Sequence, residues 1–160
     1  MNIKELSSKI LGLAKINSEY LSNISKLLEV NFHQYEDDNF IFDIGPSKIK
    51  LYRAKGFDGE SLLSLVEVKL YTVKGEDLGI VSLSLVEGAN IYVEDIIDTT
   101  SITEVNLQVI PEIDSSLITY PLNGSDVTFY QTIGEHYKLT KITIQLMPNT
   151  SASKQTIHIS

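Results

Sequence analysis

Three histidines, His33, His136 and His158, are the first residues to weigh as metal ligands or proton carriers. They lie far apart and share no ligand spacing such as His-Glu-x-x-His, which sets two imidazoles on one helix face. His158 alternates with Ile157 and Ile159, which turns it to solvent on a strand. Carboxylates cluster at Glu36-Asp37-Asp38, at Glu94-Asp95 with Asp98, and at Glu112 with Asp114. Paired carboxylates can hold Ca²⁺ through oxygen ligands or divide the acid and base roles of glycoside hydrolysis. Each cluster also falls where a strand should end, and solvated turn residues account for all three. Gly75, Gly79 and Gly88 punctuate a hairpin and open no helix that would cradle phosphate. No serine has a nucleophile-elbow context. The sequence therefore assigns no catalytic residue, no metal ligand and no cofactor-binding residue, and the chain is expected not to be an enzyme.

Charge narrows the partners. Thirteen Lys and Arg face 21 Asp and Glu, for a net charge of −8. Such a surface repels nucleic acid and anionic lipid and attracts a basic protein. Solubility is the plainer use of the same charge. There is no cysteine, so neither a disulfide framework nor a thiolate metal site is available. Polar residues interrupt the N-terminus every two or three positions, so no secretory signal is expected. No apolar run reaches the ~18 residues of a membrane span. Cytoplasmic synthesis is the expectation, and a virion protein released by lysis would read the same way.

The elements that position these residues begin with the first thirty. Ile3, Leu6, Ile10, Leu13, Asn17, Tyr20, Ile24 and Leu27 recur at steps of three and four, a heptad with its a and d positions filled. Asn2 and Glu5 have capping-box spacing, and Asn31 suits the C′ position. The pattern predicts one helix from about Ile3 to Leu28 or Val30. At ~1.5 Å per residue it would be about 40 Å long, more than a small domain is wide. The stripe serves either a self-associating coiled coil, with Asn17 as the polar a residue, or packing on the protein's own sheet. Positions e and g are mostly apolar, unlike a two-stranded zipper, and point to a contact wider than a single seam.

Strands and turns follow. Phe32–Tyr35, Phe40–Ile44 and Lys48–Tyr52 read as short strands, the last with a basic outer face. Leu62–Val73 and Gly79–Val86 form a hairpin around Lys74-Gly75-Glu76-Asp77, with Val66, Val68, Leu70, Val81, Leu83 and Leu85 inward. Ile91–Ile97, Thr103–Val109, Leu117–Tyr120, Val127–Thr132, Leu139–Met147 and Gln155–Ile159 read as further strands. Asn123-Gly124 is a turn dipeptide. Nine or ten close-set strands connect economically only as antiparallel sheet. The expected class is α+β, mostly β: a long helix over residues 1–30, then an antiparallel β-sandwich over residues 31–160, jelly-roll-like in its specific version. A closed barrel is the other architecture.

That layout resembles the subunits of phage appendages, such as fibres and baseplate proteins. It implies a non-enzymatic structural or interaction protein, with the helix used for oligomerisation or docking. Its partner would be a protein or a second copy of itself. Two other functions fit the same residues. One is an acidic immunity or inhibitor protein that covers a basic toxin or nuclease. The other is a small-ligand-binding β domain.

Overall fold

Asn2 starts the first helix as its spacing predicts: its side-chain oxygen accepts the Glu5 N–H at 2.8 Å. In the computed structural model, which describes residues 1–35, 49–55, 61–97, 106–122, 124–134 and 137–147, that helix is short. α1 spans Ile3–Leu13 and α2 spans Tyr20–Leu28. The expectation of one long helix is therefore corrected to a helical hairpin. The first helix tightens as it ends, with Lys15 N–H on Gly12 O and Ile16 N–H on Leu13 O. Asn17 and Ser18 then follow, residue types that compete with helical hydrogen bonding. Asn23 donates its side-chain amide to Ser18 O, and Glu19 turns the chain with φ 44°. α2 ends with Glu29 at φ 56° and Val30 N–H on Ser25 O, a Schellman-type close. A Cβ on Gly12 would stand 2.9 Å from Leu27 Cδ2, so the hairpin packs closely at that point.

The strands are β1 His33–Tyr35, β2 Lys50–Ala54, β3 Leu63–Val73, β4 Glu76–Leu85, β5 Asn106–Ile110, β6 Ser115–Leu122, β7 Ser125–Thr132 and β8 Leu139–Leu146. They form one antiparallel sheet in the order β1-β2-β3-β4-β8-β7-β6-β5. The expected sandwich is thus a single sheet, with helices in place of a second sheet as the covering layer. The expected strands at residues 40–44 and 155–159 lie outside the described residues. Residues 91–97, expected to be a strand, instead hold a helical turn, α3, at Val93–Ile96. The Asp95 carboxylate accepts the Tyr92 N–H at 2.9 Å and fixes its start. A 3₁₀ turn at Pro111–Ile113 joins β5 to β6.

The β3–β4 hairpin closes on two residues, Lys74 and Gly75, with φ of 51° and 79°. Both left-handed is the type I′ geometry, whose twist matches that of the strands. Val66, Val68, Val81, Leu83, Ile142, Ile144, Val127 and Phe129 are buried on one face of the sheet. Leu6, Ile10, Leu13 and Ile24 from the helices, with Ile91, Val93 and Ile96 around α3, join them in the same core. Tyr120 meets Phe129 edge-on, with ring centroids 5.7 Å apart. Hydrogen bonds tie α1 to the sheet and to α3 as well. Ser125 Oγ donates to Ala14 O at 3.0 Å, and Ser7 Oγ donates to Ile96 O.

Among the described residues no element covers the other face, which is largely polar. One rank crosses all eight strands: His33, Arg53, Glu67, Ser82, Thr143, Thr128, Thr119 and Asn106. Arg53 and Glu67 pair at 3.1 Å, and the Thr119 and Thr128 hydroxyls bond at 2.9 Å. At β2 the expected basic outer face is reversed. Lys50 and Tyr52 pair with Leu70 and Val68 on the core side, and Leu51 is buried beside Lys69 on the other.

Candidate functional site

A cleft of about 630 Å³ lies between the α1–α2 link and the β3–β4 hairpin. Each wall follows from local sequence. The link supplies Asn17, Ser18 and Glu19 because the helix breaks there, and α2 begins at Tyr20. The type I′ turn brings Glu76 and Asp77 to the opposite rim. Gly79 lets Tyr20 and Leu70 come close to the strand: a Cβ there would meet Leu70 at 3.1 Å and the Tyr20 ring at 3.4 Å. Tyr20 then spans the gap, its hydroxyl donating to Asp77 O at 2.8 Å. Burial pushes its ionisation above the usual phenol range, and the charges of Asp77 and Glu76 push the same way. Thr72 Oγ1 holds the Asp77 carboxylate at 3.1 Å. Three carboxylates, Glu19, Glu76 and Asp77, therefore face one lysine, Lys50, around the cleft. That arrangement suits a basic group on a partner and offers no paired nucleophile and base.

The heptad residues divide between the core and the cleft. Leu6, Ile10, Leu13, Tyr20 and Ile24 are buried within the chain, Leu27 packs against the same core, and Ile3 is exposed. Asn17 sits in the link, at the lip of the cleft. No protein-family model matches this chain, and no curated protein or solved structure does.

The acidic clusters of the sequence are scattered. Glu94 is exposed, and Asp95 is occupied with the Tyr92 N–H. Asp114 accepts the Gly134 N–H at 3.1 Å. Glu36, Asp37, Asp38, Asp98, His136 and His158 lie outside the described residues. Among the described residues, no three of His, Asp or Glu stand close enough to hold a metal ion. No helix among them is long and apolar enough to cross a membrane.

A second surface escaped the sequence reading. β5 ends the sheet order, and Leu107 and Val109 pair with Ile118 and Ser116 on the core-side face. Among the described residues no element covers the face there, and Leu107 is 61% and Val109 55% exposed. Alternation marks both residues as half-buried. Their exposure comes from strand order, which alternation does not encode.

Proposed function

We propose that the chain is a non-enzymatic structural or interaction protein, in its specific version a component of a phage virion or appendage. The observation that supports it is the exposed pair Leu107 and Val109 on an edge strand without charge. Soluble proteins commonly blunt such edges with charge or proline, and exposed apolar contact surface marks docking. The helical stripe is used within the chain's own core, so this reading moves docking to the far edge of the sheet. The virion version draws on the helix-then-β layout. An acidic inhibitor of a basic toxin or nuclease is the second reading, supported by Glu19, Glu76 and Asp77 around the cleft.

Affinity capture from source cells separates the two. The baits are wild type, Leu107→Lys/Val109→Lys, and Glu19→Gln/Glu76→Gln/Asp77→Asn. A partner lost only with the edge variant supports the interaction protein. A basic partner lost with the cleft variant and released by salt supports the inhibitor. Turnover in a hydrolase screen that stops in Tyr20→Phe overturns both.

A further inference from the structure

We infer that β5 pairs with β5 of a second copy, antiparallel about Gln108, to join two sheets into one. The inference rests on the interaction reading and narrows its partner to the chain itself. The strand Asn106-Leu107-Gln108-Val109-Ile110 carries no charge in a protein of net charge −8. Two acidic bodies approach at least cost along such a seam, because like charges are kept off the contact. Pairing about Gln108 is also self-complementary. Leu107 falls opposite Val109 of the second copy, and Val109 opposite its Leu107, so both exposed apolar residues gain an apolar cross-strand neighbour twice over.

The acidic residues that follow the strand keep clear of one another in the same arrangement. Glu112 and Asp114 follow the C-terminal end of β5 and are exposed. In an antiparallel pair those of the two copies stand beyond opposite ends of a five-residue seam, more than about 17 Å apart along it. That exceeds the screening length of about 8 Å at physiological salt. A parallel pair would bring the four carboxylates together. The opposite edge of the sheet is not equivalent: β1 has three residues, and His33 there stands opposite Arg53. The seam is short, so association is expected in the micromolar range, well below that of a large interface.

Sedimentation across a hundredfold concentration range, up to about 0.5 mM, reads the association. The expected result is a monomer–dimer equilibrium in wild type. Leu107→Glu/Val109→Glu should weaken it at least about tenfold, since like charges then stand directly opposite. Mixing that variant with Leu107→Lys/Val109→Lys should restore a dimer, a result that misfolding of either variant would not produce. Orientation is read by cysteine. The chain has none, so Gln108→Cys reports alone. At a two-fold axis the two sulfurs fall within disulfide reach, and oxidation should give about tenfold more covalent dimer than Gln34→Cys on the opposite edge. A wild type that stays monomeric throughout overturns the inference. If such a monomer still loses a captured partner in Leu107→Lys/Val109→Lys, the interaction reading stands and the self-pairing falls.

Discussion

The Tyr20 hydroxyl lies 2.8 Å from the Asp77 carbonyl oxygen and donates to it, joining the start of α2 to the start of β4. The bond closes one side of the cleft and anchors the helical hairpin to the sheet. Tyr20→Phe removes the donor and leaves the packing, so it should destabilise by about 1 kcal/mol at neutral pH. Its pH dependence has a definite sign. The folded state holds the phenol proton more tightly than the unfolded state. The stabilisation is therefore complete below about pH 10 and is lost as pH rises from there through the folded pKa. Urea titrations between about pH 9 and 11 should show wild type losing stability more steeply than Tyr20→Phe. Parallel curves would remove the ionisation argument.

Ser125 is a buried polar residue whose hydroxyl donates to Ala14 O at the end of α1. Ser125→Ala strips a partner from a carbonyl at a helix end, where no intrahelical donor remains. The expected loss is about 1–2 kcal/mol, seen as a lower urea midpoint with an unchanged slope. Ser82→Ala on the polar face should stay within about 0.5 kcal/mol of wild type. Equal effects of the two would mean that the helix-to-strand bond contributes nothing.

The heptad positions should respond according to their burial. Ile10 is fully buried and Ile3 is 37% exposed. Ile10→Ala should cost about 3 kcal/mol through lost burial and a cavity, and Ile3→Ala under about 0.5 kcal/mol. Asn17→Ile, at the lip of the cleft, should leave both stability and light-scattering mass nearly unchanged. A large rise in melting temperature or a change of mass in Asn17→Ile would return this residue to an intermolecular seam.

The strands were legible because their signals are local. Val66, Val68, Val81, Leu83, Ile142 and Ile144 alternate strictly, and Lys74-Gly75 marks a two-residue turn. The helix break was not. Leu13 and Tyr20 are seven residues apart, so the apolar rhythm continues across a link that is not helical, and no proline marks the stop. Gly12, Asn17 and Ser18 were the available signal, weak helix formers grouped at one point. Alternation says that one face of the sheet is covered without saying by what, so a layer of helices and a second sheet leave the same pattern. Around Ile91–Ile97, burial of Ile91, Val93, Ile96 and Ile97 follows a period intermediate between strand and helix. The candidate surfaces depend on which elements become neighbours: Tyr20 reached the cleft because α2 folds back over β4.

β8 lies between β4 and β7, yet it is the eighth strand to be made. On a ribosome, β1 to β4 and β5 to β7 emerge as two separate meanders, each with a bare apolar edge. Neither can become part of one sheet until residues 139–146 thread between them as the keystone. α1 waits nearly as long, since its Ser125 contact is made 111 residues later. Such a chain should depend on its nascent state being shielded, and a message cut short before residue 139 should yield a sticky product rather than a smaller working one.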